Sequence, residues 1–319
     1  MLAHMRKLWP RWTWAPTLPF WAWAAFCAAR GELRADHIAL ALLATALAYG
    51  HRISKRVFLG ILPMGLVALF YDSMRLFKNV GLSESTVHVC DLRAAEARYF
   101  GFVQDGVPIT LHDWLQRHAT LQLDVFGALA YGTFLYVVLG YALFLLVRDF
   151  SSGQRFMWGF FALNMIGFAT YHIYPAAPPW YYHAHGCVVD LAAKASAGPN
   201  LTRVDAWMGF PYFAGFYGRS NDVFGAVPSL HVAYPLLMAI EGWRKHRSLG
   251  RSLLVGFYLW MCFAAVYLDH HWVIDVLLGS VYTVAVAWLM RAAERWSDSR
   301  NRNRRSSGVP LAQQPEIGS

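Results

Sequence analysis

Eight apolar runs alternate with polar or basic segments along the chain. They cover about Trp14–Ala29, His37–Tyr49, Val57–Tyr71, Leu123–Val147, Phe156–Tyr174, Pro228–Trp243, Leu249–Tyr267 and His271–Met290. A helix needs roughly 20 apolar residues to cross a bilayer. The fourth run meets that length, and the first two fall short of it. The pattern predicts an all-α fold, a polytopic transmembrane helix bundle of about eight spans. Residues 1–54 would carry the two N-terminal spans and 55–291 a six-helix core. Residues 292–319, with Arg300, Arg302, Arg304 and Arg305 among Ser, Asn and Gln, read as a basic disordered tail.

Two long polar stretches, 76–122 and 175–226, interrupt the core. In the first, Thr110 and Asp113 have the spacing of a helix N-cap with an acid at N3. Leu111, Trp114, Leu115 and His118 follow at helical spacing. They predict a short amphipathic helix, either lying in the membrane interface or packed on the bundle. The second opens with Pro175, Pro178 and Pro179, which cannot continue a helix. A rigid extended exit is expected there.

Composition supports lipid as the solvent. Hydrophobic residues make up 57% of the chain and charged ones only 15%, against about a quarter in soluble domains. The net charge of +9 does not indicate a nucleic-acid partner. Its basic residues lie in short loops between apolar runs, and no nucleic-acid-binding motif is present. Those loops set the topology. Arg244, Lys245, Arg247 and Arg251 follow the sixth run and the C-terminal arginines follow the eighth, which places both inside. Counting back puts the loops 51–56 and 148–155 inside as well, with both termini cytoplasmic. Arg30 and Arg34 run against this assignment. The two long polar stretches, His231 and His271 then fall on the periplasmic or lumenal side of an integral inner (cytoplasmic) membrane protein. No cleavage site follows the Trp-rich N-terminus, so an uncleaved first span is expected. Cys90 and Cys187 share the outer side, where a disulfide between them would persist. Cys27 and Cys262 lie in apolar runs, and no CxxC pair points to zinc.

Ionisable residues at membrane depth are costly and usually have a task. Asp275 lies one turn inside the last run, and His271, four residues earlier, shares its helix face. A carboxylate bound to one imidazole nitrogen fixes the tautomer and leaves the other nitrogen as a nucleophile. His231 follows Pro228-Ser229 at a helix start, where free N–H groups suit a phosphate. From there it would act as acid and then base. Interfacial polar anchoring, a structural role for Asp275, and a metal site using His231, His270, His271 and Asp275 are the competing readings. Adjacent residues point about 100° apart on a helix, which counts against joint ligation by His270 and His271.

Pro228-Ser229-Leu230-His231 and His271-x-x-x-Asp275 resemble the second and third signature motifs of the type 2 phosphatidic acid phosphatase superfamily. Tyr174–Tyr181, Thr202-Arg203-Val204-Asp205, Phe224–His231 and Tyr267–His271 together resemble its inositol phosphorylceramide synthase, aureobasidin-sensitive branch. The resemblance covers roughly residues 55–290. It implies a two-step transfer of a phospho-head group, best guessed as phosphoinositol, from a phospholipid donor to a ceramide or other lipid alcohol acceptor. His271 would form a phosphohistidine, Asp275 would orient it and His231 would move the proton. No metal and no cofactor are implied. A lipid phosphatase releasing phosphate to water is the alternative, and a transporter using His and Asp as a proton relay is a non-enzymatic third.

The chain departs from the superfamily pattern in its cations. The first motif, a lysine six residues before Arg-Pro, is absent, and Ala265 stands where an arginine is expected. A phosphodiester carries one negative charge where a monoester carries nearly two, so this favours a head-group transferase over a phosphomonoesterase. Arg203 and Arg219 are the expected replacements, ahead of Arg75 and Lys78. Tyr181, Tyr182, Asp205 and Ser229 are further candidate substrate contacts.

Overall fold

Most of the described part of each apolar run lies in a helix. A computed structural model describes residues 2–10, 15–77, 80–218 and 222–306. The order is α1 (Leu2–Leu8), α2 (Leu18–Ala29), α3 (Ala35–Tyr49), α4 (Arg52–Phe77), α5 (Cys90–Phe100), β1 (Phe102–Gln104), β2 (Val107–Ile109), α6 (Leu111–Arg117), α7 (Leu121–Arg148) and α8 (Phe150–Ile173). It continues with α9 (Pro179–His185), α10 (Gly198–Met208), α11 (Tyr212–Tyr217), α12 (Leu230–Gly242), α13 (Ser248–Tyr267) and α14 (Val273–Ser306). The expected all-α membrane bundle is observed, with one short antiparallel hairpin, β1–β2. Among the described residues, α4, α7, α13 and α14 are long and apolar enough to cross a membrane. The helices over the other four runs are shorter or more polar.

The core is built by α7, α8, α12, α13 and α14, with α4 packed on α8. Helix α12 has only 13 residues, of which ten are buried, Pro235 among them. A helix this short is about 20 Å long. It can sit in a bilayer because its neighbours, not lipid, surround it. The outward faces of α7, α13 and α14 expose Leu143, Leu253 and Val281 as a lipid-facing surface. Helices α2 and α3 form a separate apolar cluster with the first half of α4. Asp72 in α4 takes hydrogen bonds from Trp23 (3.0 Å) and Arg34 (2.9 Å) and lies 3.0 Å from Nε2 of His37. Among the described residues, Cys27, His37 and Asp72 form the one group with metal-ligand spacing, but Arg34 and Trp23 already engage that carboxylate.

The two long polar stretches cover one end of the bundle. The N-cap at Thr110 is present, with Asp113 completing a reciprocal capping box for α6. Stretch 76–122 also holds α5 and the hairpin, which its polar composition concealed. The proline segment is extended only as far as Pro178. Pro179 begins α9, because proline at the first helical position gives up an N–H that has no partner there anyway. Ala176 of this segment accepts from the Ala226 N–H and donates to Phe224 O, while Ala177 donates to His88 O. Three segments of chain are thereby joined. Cys90 and Cys187 form a disulfide with Cα atoms 5.4 Å apart, tying the start of α5 to the segment after α9. At the opposite end α14 runs on to Ser306. Residues 292–306 are thus helical where a disordered tail was expected, since no Gly or Pro interrupts the helix there.

Candidate active site

His231 lies in the first turn of α12, and His271 lies in the turn between α13 and α14. Their approach follows from backbone contacts between the two motifs. The Ser229 N–H donates to the Asp275 carbonyl at 3.0 Å. Gly279 lets the chains close: a Cβ there would lie 2.4 Å from Ser229 O. In the turn, the His270 and His271 N–H groups both donate to Ala265 O. Ala265, where the superfamily pattern led us to expect an arginine, is fully buried and serves through its carbonyl.

The two catalytic candidates meet directly. Nδ1 of His231 is 3.1 Å from Nε2 of His271. Nδ1 of His271 donates to Ala226 O at 2.8 Å. A carbonyl can only accept, so the proton sits on Nδ1 and the Nε2 lone pair is free to accept from His231. Asp275 Oδ2 is 3.6 Å from the same Nδ1, and takes the Trp272 N–H at 2.9 Å. In this geometry the tautomer is fixed by Ala226, with the carboxylate beside it. Burial pushes His271 down to about 4, against the opposing pull of the Ala226 carbonyl, so the ring is neutral across the physiological range. Tyr131 stacks on His231 at 4.5 Å, and Phe134 packs at 4.8 Å. His270 is directed elsewhere, with its Nε2 2.8 Å from Ala197 O.

A cavity of about 350 Å³ begins at the histidines and descends between α4, α7, α8 and α12. Its floor is apolar, with Val67, Met74, Phe134, Leu135, Phe160 and Phe168. Among the described residues no Lys or Arg lines it. A second hollow of about 490 Å³ shares the walls Trp180 and Ser196 with it and adds His185, Lys194, Thr202 and Arg203.

The remaining candidates do not line the cavity. Arg203 pairs with the fully buried Asp124 through two hydrogen bonds of 2.7 and 3.0 Å and faces the second hollow. Asp205 accepts from Phe213 N and Ala214 N, closing the start of α11. The Tyr181 hydroxyl donates to Val188 O and accepts from Asp190 N. Ser229 is fully buried, and its Oγ has no hydrogen-bond partner. Tyr182 lies under the Arg93 guanidinium. Arg219 and Lys78 lie outside the described residues.

A superfamily profile described as PAP2 matches residues 103–289, the stretch that contains His231, His271 and Asp275. The chain belongs to the PAP2 superfamily. This PAP2 member is 32% identical to the phosphoinositol dihydroceramide synthase of Bacteroides thetaiotaomicron, over 81% of its own length and 84% of that protein. It is 29% identical to the inositol phosphorylceramide synthase catalytic subunit aur1 of Schizosaccharomyces pombe, over 49% of its length and 37% of that protein. No solved structure matches. The expected branch resemblance is thus upheld, and this PAP2 chain is a membrane phosphotransferase with lipid substrates.

Sequence reasoning missed the surroundings of the pair. The Ala226 carbonyl lies in the Phe224–His231 motif, but its contact with His271 spans 45 residues, and the rings of Tyr131 and Tyr217 come from segments with no motif of their own. Also missed was a row of histidines and carboxylates, Glu96, His112, Asp113, His183 and Asp269, behind the histidine turn. Its one visible sign was a concentration of histidines in the polar stretches.

Proposed function

We propose that this chain transfers a phosphoinositol-type head group from a phospholipid to a ceramide-like alcohol through a phosphohistidine on His271. One observation carries the reading: an apolar cavity between α4, α7, α8 and α12 ends on a neutral histidine whose Nε2 points at a second histidine. The donor phosphodiester would enter between the two rings and replace their mutual hydrogen bond. Nε2 of His271 then forms a bond to phosphorus, and the bond from phosphorus to the diacylglycerol oxygen breaks. His231, protonated when the anionic diester is bound, gives its proton to that oxygen. In the second step the primary hydroxyl of the acceptor loses its proton to His231 and attacks phosphorus, and the N–P bond breaks. Asp275 stabilises the positive charge His271 carries as the phosphohistidine forms.

The acyl or sphingoid chain takes the apolar floor of the cavity. The hollow bearing Lys194 and Arg203 takes the polar head group, and so gives Arg203 its part in substrate binding. Arg203 is the described cation nearest in kind to those the superfamily pattern lacks, and its pairing with Asp124 holds it in place. We assign the site to the outer side of the membrane and both termini to the cytoplasm. Support comes from the basic loops on the opposite side and the Cys90–Cys187 bond among the outer segments.

The test is product analysis in detergent with a head-group-labelled phosphatidylinositol, with and without ceramide. Label moving to ceramide is expected. Release of phosphate or inositol phosphate to water, unchanged by ceramide, overturns the reading.

A further inference from the structure

Behind the turn that carries His270 and His271, acids and histidines alternate in space: Asp113, His183, Asp269, His112, Glu96. Nδ1 of His183 is 2.6 Å from Asp269 Oδ2, and its Nε2 is 3.2 Å from Asp113 Oδ1. On the far side of Asp269, Oδ1 is 3.3 Å from Nδ1 of His112. Nε2 of His112 faces Glu96 at 3.8 Å, and Glu96 accepts from the N–H groups of Val273 and Ile274. Glu96, His112 and Asp269 are fully buried, while the His183 side chain is 26% exposed.

Asp269 needs holding. Its φ is +68°, a left-handed conformation that is uncommon for residues other than glycine. It directly precedes the two histidines. Its carbonyl takes the Trp180 N–H at 2.9 Å, and its carboxylate is fixed by His183. A neutral imidazole has one N–H. With both nitrogens of His183 against carboxylate oxygens, a neutral ring would turn a lone pair on one of them. Only the imidazolium satisfies both.

We propose that His183 is a positioning residue for the transfer: as an imidazolium bridging Asp113 and Asp269, it fixes the turn that presents His271 to phosphorus. The inference rests on His271 being the nucleophile. The titratable and charged groups around His183 are its two partners and the residues that hold those partners. Asp113 from α6 and Asp269 from the turn face it directly, with His112 of α6 and Glu96 of α5 beyond Asp269 and Arg93 of α5 on Asp113. Arg93 pairs with Asp113 at 3.0 Å. Burial lowers the affinity of His183 for its second proton, but the hydrogen bonds to Asp113 and Asp269 outweigh it and raise the pKa to about 9. The bridge is therefore complete below the ordinary imidazole range, near 6.5, and is lost as pH rises through about 9.

The experiment compares the full chain with His183→Gln and His183→Arg in detergent, with phospholipid donor and ceramide acceptor, from pH 6 to 10. The natural chain should lose kcat with a midpoint near 9 while KM for both lipids stays constant. His183→Gln should reduce kcat about tenfold to 100-fold at neutral pH, the scale of a slightly misplaced reacting group, and lose the alkaline limb. His183→Arg keeps a permanent cation and should restore kcat without the limb. Asp113→Asn should move the midpoint below that of the natural chain, and it stands in if the Gln variant fails to fold. Superposed profiles of the natural chain and His183→Gln, an unmoved midpoint in Asp113→Asn, or His183→Arg as impaired as His183→Gln would each overturn the proposal. His271→Ala is run alongside. If it still transfers, the nucleophile assignment is what fails; if it is inactive and the His183 series is flat, only the positioning role fails.

Discussion

Two pairs of histidines lie on either side of one turn and have opposite surroundings. His231 and His271 face each other among aromatic rings and the Ala226 carbonyl. His112 and His183 face carboxylates at every ring nitrogen. Burial acts on both sets. Without an acid within hydrogen-bond reach, it leaves His271 neutral, the state that the proposed attack on phosphorus requires. Against Asp113 and Asp269, it is overcome, and His183 becomes a cation. In the proposed reaction one residue type supplies reactivity on one face of the turn and rigidity on the other, and the neighbours decide which.

The largest effect should come from removing the reactive nitrogen. His271→Ala is expected to lower transfer by more than about 10⁴-fold and to abolish any acid-labile phosphoenzyme, checked with phosphorus-labelled donor. Label still trapped on the protein would break the distinction between the two pairs. His231→Ala should cost about 10²- to 10⁴-fold, the range for one general acid–base group. It should leave phosphoenzyme detectable when the donor has an easily lost leaving group.

Asp275→Asn sharpens the comparison further. Where a carboxylate alone fixes a catalytic tautomer, the carboxamide costs about 10⁴-fold. Here Ala226 O already holds Nδ1–H, so a loss of only about tenfold to 100-fold is expected. A loss of 10⁴ would return the orienting role to Asp275. The neutral state of His271 adds a pH test. Its pKa is lowered to about 4, so the nucleophile is intact above that value and is lost as pH falls through it. An acid limb near 6.5 in the single-turnover rate would contradict the buried environment.

The smallest effects belong to the rigid side. Glu96→Ala leaves two N–H groups at the start of α14 without acceptors. It should destabilise the fold by about 2 kcal/mol, read from thermal unfolding in detergent, with a lesser change in KM. Cys90→Ser should lower the unfolding temperature as reduction does, by releasing a closure of 97 residues.

Much of this molecule was legible from the chain. Apolar runs mark helices because lipid forbids unpaired backbone, and each of the eight overlaps a helix through most of its described length. Thr110 and Asp113 gave the start of α6, because a cap is a local interaction. His231 and His271 were found because their neighbours in sequence form motifs. The α5 helix, the hairpin and α9–α11 were not legible. Their polar faces carry no period that separates them from loop, and tertiary contact stabilises them. The extent of α14 beyond residue 291 was misjudged from composition alone.

The sequence by itself determined the helices, the membrane setting, the superfamily and the two histidines, since each depends on residues close together in the chain. Only the tertiary structure decided how those histidines behave. Ala226 reaches Nδ1 of His271 through the Pro-rich segment and Phe224. Asp113 and Asp269 reach His183 from 70 and 86 residues away. A side chain's protonation and aim are set by whatever is packed against it, and that packing joins segments whose separation in sequence carries no sign of their contact.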